Sequence, residues 1–278
     1  MQNWFNVSHL SGVRISGPDA FEFCQAQFTT DFQQLNESVW QICAWCDPKG
    51  RCLAIILASI DEDHVDLVAP RSQAAVLNKL KMYAIGRKIE FSALLHVSGN
   101  LAPASSTGAS RLSDDRAMRL DDEPADPASD QLRQWRIADL CLPLPWLNEY
   151  STGRYLPQFL GLEENQGLSY RKGCFPGQEV IARVHYLGKV KHRLTGFVLD
   201  KSGNQAELDT GQLVIRGNDR TADILESVRI GNKLIGMAVC PAELAPDSEI
   251  EFHGRNGLLS GQMTEPKGLC YYRDINYD

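Results

Sequence analysis

The chain has 278 residues, of which 43% are hydrophobic and 23% are charged, and its formal net charge is −7. This is ordinary globular composition, which excludes a disordered chain, a collagen and a coiled-coil rod. The longest apolar run, Leu53 to Ala58, is far shorter than the ~20 residues that cross a bilayer, and we expect no signal peptide at the N-terminus. The acidic balance argues against general nucleic-acid or membrane binding.

The first ninety or so residues alternate between strand and helix patterns. A short strand is predicted from Val13 to Ser16, and Gly17-Pro18-Asp19 opens a helix. The apolar face of that helix is predicted to contain Phe21, Cys24 and Phe28.

The same alternation continues from His64, where a strand is predicted as far as Ala69. Ser72 is placed to cap the next helix. The apolar positions of this helix recur at helical spacing; they are Val76, Leu77, Leu80 and Tyr83. A strand from Arg87 to Phe91 is predicted to follow. Helices between strands of a largely antiparallel sheet predict an α+β layer.

The chain has eight cysteines. In a long chain without a signal peptide they favour a reducing cytoplasm. Cys43 and Cys46 form a C-x-x-C with Cys52 nearby, but no second such pair supplies the other zinc ligands. The favoured interpretation is a hairpin whose turn is Asp47-Pro48-Lys49-Gly50, with Cys43 and Cys46 on opposite faces of the sheet.

Composition changes after His96. Small residues dominate as far as residue 115, and residues 121–131 then carry five acids and two prolines. We interpret this stretch as a solvated surface connection, interrupted by a short strand at 117–120. Regular structure resumes near Gln134 to Leu140. From Leu194 onward the short strand patterns predict a small barrel or sandwich.

The most informative segment lies between these regions. From Asn165 to Arg193 it carries six cations and a single acid, Glu179, which makes it a candidate anion-binding segment in an acidic chain. Pro176 and Gly177 precede a predicted helix, QEVIARVHYL, with an apolar stripe of Val180, Ile181, Val184 and Leu187.

Cys174 therefore lies just before a helix N-terminus, and Lys172 is two residues away. Both features favour a thiolate. An ordinary buried cysteine is the alternative. Lys172 and Glu179 have simpler interpretations as a surface cation and an exposed residue of a first helical turn.

The octapeptide Lys172–Glu179, KGCFPGQE, which we call the signature segment, resembles the K-G-C-Y-x-G-Q-E motif of the YgfZ family of folate-binding proteins. That family is related to the aminomethyltransferase (T-protein) of the glycine cleavage system. Phe175 stands where the family usually has Tyr, and Pro176 where it often has Thr. Further resemblances cover most of the chain: RISGPDAFEFCQAQFTTD, DPKGRCLA, YLPQFLGL and GKVKHRL.

The resemblance implies an α+β fold of three domains. These are a ferredoxin-like domain at 1–96, a second α+β domain at 97–193 interleaved with it around a central hole, and a C-terminal β-barrel at 194–278. It also implies tetrahydrofolate as the cofactor, with or without a polyglutamyl tail. The implied function is a cytoplasmic, non-enzymatic factor for the assembly or repair of iron–sulfur enzymes, including tRNA-modifying ones.

Site roles follow from the resemblance together with the chemistry of the side chains. Cys174 and Lys172 are the candidate catalytic residues. A pterin donor pair suits a carboxylate, the p-aminobenzoyl group suits apolar walls and the glutamate tail suits cations. The candidate folate-binding residues are Glu179, Gln178, Phe175, Arg183 and Tyr186. No metal site is expected, and the partners implied are a reduced folate and iron–sulfur client or assembly proteins.

Two other functions stay open. A folate-dependent aminomethyltransferase needs a catalytic aspartate, for which Asp139 is the position to inspect; the simpler interpretation is a polar residue at a strand or turn end. An RNA-binding module would use the basic segment 171–193, whose aromatic residues could stack on bases. We expect neither a membrane partner nor direct nucleic-acid binding.

Overall fold

The computed structural model describes residues 4–37, 39–101, 110–113, 115–200, 208, 211–216, 220–254 and 257–273. Its α-helices are α1 (Ala20–Gln27), α2 (Ala74–Lys79), α3 (Ser129–Cys141) and α4 (Gln178–Leu187). None of the helices within these ranges is long and apolar enough to cross a membrane.

The strands of the described residues are β1 (Phe5–Asn6), β2 (Leu10–Ser16), β3 (Gln41–Cys46), β4 (Cys52–Ile60), β5 (His64–Pro70), β6 (Glu90–Phe91), β7 (His96–Asn100), β8 (Ser110–Ser113), β9 (Arg116–Asp121), β10 (His192–Asp200), β11 (Gln212–Ile215), β12 (Thr221–Ile230), β13 (Lys233–Pro241), β14 (Glu249–Gly254) and β15 (Gly257–Thr264).

The chain divides into two compact units. The first combines Met1–Trp135, Thr152–Pro157 and Leu162–Ala182, and the second combines Arg136–Ser151, Gln158–Gly161 and Arg183–Asp278. The domain boundaries after residues 96 and 193 stay predictions.

Two antiparallel sheets form the first unit. One has the strand order β3-β4-β5-β2-β6 and the other β1-β7-β9-β8. Every second residue of β3, β4 and β5 enters a core beneath α1 and α2, so one face of the five-stranded sheet is apolar, as period-two patterning requires.

The predicted helical face of α1 is partly wrong. Phe23 and Cys24 are buried against the sheet, whereas Phe21 is 37% exposed. The helix ends at Gln27, and Phe28 pairs with Trp45 of β3 as an isolated bridge. The next residue, Thr29, then bonds to Ala44 in both directions, which replaces a further helical turn with strand-like pairing.

The helix predicted after Ser72 is broken into three pieces. The 3-10 turns Arg71–Gln73 and Leu80–Ala84 flank α2, and no side chain caps α2, so the capping role expected for Ser72 is wrong. Leu77 and Leu80 are buried as predicted, but Tyr83 is exposed.

The stretch after His96 is not all surface connection. Strand β7 runs through it, with Val97 and Ser98 buried. Gly99 makes this possible, since a Cβ there would lie 2.7 Å from Trp135 and Val7 atoms. The strand predicted at 117–120 is confirmed as β9, while residues 102–109 lie outside the described residues.

The second unit contains a closed six-stranded barrel in the order β10-β13-β12-β11-β14-β15. The expected C-terminal barrel is therefore confirmed. Its interior is apolar, and Phe197, Leu234 and Met263 are among the buried residues. Gly261 lies opposite Leu199 where β15 pairs with β10 to close the barrel.

We expect Gly261→Ala to destabilise the barrel by roughly 1–3 kcal/mol, because the new methyl group would overpack the seam. A Cβ at Gly261 would lie 1.9 Å from the carbonyl oxygen of Val198. Urea unfolding measures the change. Gly173→Ala is the control, since a Cβ there meets no atom within 4 Å; equal midpoints for both variants would contradict the expectation.

Candidate functional site

The signature segment is anchored by its first residue. Lys172 is only 7% exposed, and its ammonium group donates to the backbone carbonyls of Gln25, Phe28 and Thr30 at 2.5, 2.6 and 2.7 Å. Carbonyls at the end of a helix lack intrahelical partners and form the negative end of its dipole. The three N–H donors of Lys172 therefore satisfy three acceptors in and just beyond the last turn of α1.

Burial lowers the pKa of Lys172 to about 8, while the nearby Cys43, Asp31 and Cys24 act in the opposite direction. At neutral pH the ammonium form still predominates, so all three hydrogen bonds can be donated. Lys172 is thus an internal cation rather than the surface cation of the simpler interpretation.

Cys174 faces solvent between two inward-facing side chains. Its thiol is exposed, whereas Lys172 before it and Phe175 after it are both buried. The Lys172 ammonium lies 5.3 Å from the centre of the Phe175 ring, a cation–π contact. The alternative of an ordinary buried cysteine at position 174 is wrong.

The other end of the signature segment rests on the β3–β4 hairpin. Gly177 has a φ of +79°, and a Cβ there would lie 2.4 Å from Gly50 Cα. Gly50 also has a positive φ and donates its N–H to Asp47 O at 2.9 Å. Two glycines are needed here because the two backbones touch.

The chain leading into the signature segment is tied to the same connection between α1 and β3. The hydroxyl of Thr29 donates to Gly167 O at 2.6 Å, and Thr29 O accepts from Ser169 N at 2.9 Å. Sequence reasoning missed Thr29, because nothing in its local sequence separates it from an ordinary helix-end threonine.

Helix α4 has the bounds predicted from the sequence, Gln178–Leu187. Gln178 is half-buried and its side chain lies 3.5 Å from Lys172 O, while Glu179 is exposed. The expected apolar stripe is mostly wrong: Ile181 is buried, but Val180 and Leu187 are exposed at 37% and 86%.

Two of the candidate folate-binding residues belong to the second unit. Arg183 and Tyr186 lie in the latter part of α4 and are both exposed. The ring of Tyr186 is 4.7 Å from that of His185 in an edge contact. Their role at a folate tail stays a prediction.

Asp139 is buried inside the second unit, at 1% exposure on α3. It accepts a hydrogen bond from the indole N–H of Trp146 at 3.1 Å. The hydrogen bond from Trp146 therefore ties the Asp139 carboxylate into the packing of the second unit.

Side chains that could ligate a metal do not cluster in the described residues. Within the described ranges, no group of three or more His, Cys, Asp or Glu side chains is placed to hold a metal ion. All eight cysteines lie in those ranges and are free thiols. The predicted hairpin is confirmed as β3 and β4, joined by residues 47–51.

We expect Lys172→Met to destabilise the first unit by roughly 1–3 kcal/mol, because buried carbonyls would lose their donor. Lys189→Met, which removes an exposed cation, is the control and is expected to unfold like the unaltered protein. Urea unfolding followed by circular dichroism measures both. We call the carbonyls of Gln25, Phe28 and Thr30 the carbonyl cage. Equal stability of the two variants would show that the hydrogen bonds between Lys172 and this cage add nothing to the free energy of unfolding.

Comparisons with known proteins extend the local resemblance to most of the chain. No family model matches it. An uncharacterised protein of Haemophilus influenzae is 28% identical over 272 residues, covering 93% of this chain and 95% of that protein. The tRNA-modifying protein YgfZ of Klebsiella pneumoniae is 27% identical over 288 residues, with 88% and 87% covered. The protein of the same name from Shigella boydii is 27% identical, with 84% of each covered.

Among solved structures, the glycine cleavage system aminomethyltransferase T of Bartonella henselae aligns with a TM-score of 0.67. The alignment covers 95% of this chain and 85% of that one, at 15% sequence identity. The α+β fold with a C-terminal barrel is therefore that of this aminomethyltransferase. The resemblance to the YgfZ proteins is confirmed, since the chain is similar to proteins of that name over most of its length.

Proposed function

We propose that this protein is a tetrahydrofolate-binding accessory factor, of the YgfZ type, for the assembly or repair of iron–sulfur enzymes, including tRNA-modifying ones. The similarity to proteins named for tRNA modification over most of the chain supports the general role. The proposal places its action in the cytoplasm, with iron–sulfur client or assembly proteins as its partners.

The observation that carries the proposal is the presentation of Cys174. It is the one exposed thiol among the eight cysteines, all of which the structure describes. Two anchors hold the chain on either side of it: buried Lys172, which bonds to the three carbonyls, and Gly177, which packs against Gly50. A thiol held this way is reachable by a macromolecular partner without unfolding of the loop.

The chemistry of the residues around Cys174 suits a reduced folate in part. Glu179 offers an exposed carboxylate, the acceptor that the amino and ring N–H donors of a pterin require. Gln178 beside it adds a donor and an acceptor. Phe175 is buried at 7% exposure, so its ring supports the loop from beneath and the apolar wall for the p-aminobenzoyl group must come from elsewhere. Arg183 and Tyr186 stay in the proposal as contacts for the glutamate tail.

An aminomethyltransferase is the second candidate, favoured by the shared fold. That reaction needs a carboxylate available to the folate, and Asp139 instead accepts from the Trp146 indole. Assays of one-carbon transfer with tetrahydrofolate separate the two candidates. Turnover would support the transferase, whereas binding without turnover supports the accessory factor.

We expect calorimetry to detect tetrahydrofolate binding, with higher affinity for the polyglutamylated form because added carboxylates meet cations. Glu179→Gln should lower the affinity for both forms by roughly ten-fold, the effect of losing a charge-assisted hydrogen bond. Glu123→Gln, a change at another exposed acid, is the control. Equal affinity for mono- and polyglutamate would contradict the tail site, and absence of heat with either would contradict the cofactor.

We expect Cys174→Ser to melt near the unaltered protein and yet fail to restore iron–sulfur enzyme activity in a bacterium lacking its own YgfZ protein. Cys43→Ser should instead melt at a lower temperature and still restore the enzyme activity. Its thiol is fully buried, so an added hydroxyl destabilises by roughly 1–3 kcal/mol if unpaired. Full rescue by Cys174→Ser would mean that the thiol is dispensable.

A further inference from the structure

Two thiols face each other at the base of the β3–β4 hairpin. Cys46 and Cys52 are partners in the strand register, just beyond a register shift that follows Trp45, and their sulfur atoms are 4.0 Å apart. Both side chains are buried, at 2% and 0% exposure. Neither belongs to the core beneath α1 and α2, which takes Cys43 and Trp45 from the same strand.

The backbone makes this a position where side chains approach closely. Cys52 donates its N–H to Tyr155 O and accepts from Gly153 N, both at 2.8 Å, so it does not exchange its main-chain bonds with Cys46. One step outward, Asp47 N donates to Arg51 O at 2.9 Å. In antiparallel sheets such non-hydrogen-bonded pairs have Cα atoms about 4.5 Å apart, within the range of about 4.4–6.8 Å that disulfides span.

We infer that Cys46 and Cys52 are a disulfide-forming site that responds to hydroperoxides. A Cys46 thiolate attacks the O–O bond of hydrogen peroxide, giving a sulfenic acid and hydroxide. The Cys52 sulfur then attacks the sulfenic sulfur, forming the S–S bond and releasing water. Two thiols lose two electrons and two protons, and one peroxide is reduced to two waters.

The order of the two steps follows from the environment of each sulfur. Burial raises the pKa of Cys52 well above its ordinary value, and the thiol hydrogen bond with Cys46 raises it further. A protonated Cys52 thiol can donate to Cys46 and so support charge on that sulfur. The first step is assigned to Cys46 and the second to Cys52; the disulfide itself rests on the 4.0 Å approach of the two sulfur atoms, whichever sulfur is oxidised first.

Access comes through the turn. Pro48, Lys49 and Arg51 are exposed, and the two sulfurs lie one residue inside the Asp47–Arg51 pair that closes the loop. A small neutral oxidant needs only local opening of this turn, whereas a bulky disulfide reagent needs more space. The ring closed by the new bond is short, so it constrains the unfolded chain little and the bond is better suited to reversible modification than to holding the fold.

The experiment uses the full chain, exposed to hydrogen peroxide, then blocked with N-ethylmaleimide and digested with trypsin without reduction. Cys52 falls in the peptide 52–71, and Cys46 shares the peptide 15–49 with Cys24 and Cys43. We expect these two peptides to appear covalently linked, at two hydrogen masses below their sum plus the N-ethylmaleimide carried by Cys24 and Cys43. Fragmentation should place the bond at Cys46, and dithiothreitol should release it.

Variants fix the assignment. Cys46→Ala and Cys52→Ala should each abolish the linked pair, whereas Cys43→Ala and Cys174→Ser should keep it. If an alanine variant fails to fold, the linked peptides from the unaltered protein still show which two cysteines form the disulfide. Two outcomes would overturn the inference. One is a disulfide that joins Cys52 to Cys24, Cys43 or Cys174 instead. The other is oxidation confined to Cys174, with Cys46 and Cys52 both still reacting with maleimide after unfolding.

Discussion

One buried ammonium group determines how the signature segment is presented. Lys172 reaches three carbonyls at the end of α1, where a helix otherwise leaves acceptors without partners. A charge that is buried needs compensation, and the carbonyls supply it through hydrogen bonds and the helix dipole, with the nearby Asp31 carboxylate adding to it. The side chain of Lys172 is buried, whereas the thiol of Cys174, two residues further on, is exposed.

A second constraint acts on the far side of the thiol. Gly177 and Gly50 meet backbone to backbone, so no other residue fits at either position without displacement. The hairpin turn and the start of α4 are therefore placed together, and Ile181 is fully buried. With anchors on both sides, the position of Cys174 does not depend on contacts made by its own side chain.

The parts of this structure that follow from local pattern could be predicted. The turn residues Asp47-Pro48-Lys49-Gly50 located the β3–β4 hairpin, and proline and glycine located the start of α4. The carbonyl cage could not be predicted, because its acceptors belong to residues more than a hundred positions from Lys172 and any residue type carries a carbonyl. Because these distant acceptors are invisible in the local sequence, the count of charges between Asn165 and Arg193 treated Lys172 as one of six equivalent cations. Arg193, another of the six, is paired with Glu265 in the second unit.

Burial also divides the cysteines into two chemical classes. It raises the pKa of Cys24, Cys43, Cys52 and Cys240, so these buried thiols stay protonated at neutral pH. The charge of Lys172 opposes this at Cys24 and Cys43, but desolvation is the larger effect at both. Cys174 is the one exposed thiol of the eight and is the most accessible to a large partner, while Cys141 and Cys270 are half-buried. Reactivity between thiols instead depends on proximity, and the described contacts bring only Cys46 and Cys52 within 4.0 Å of each other.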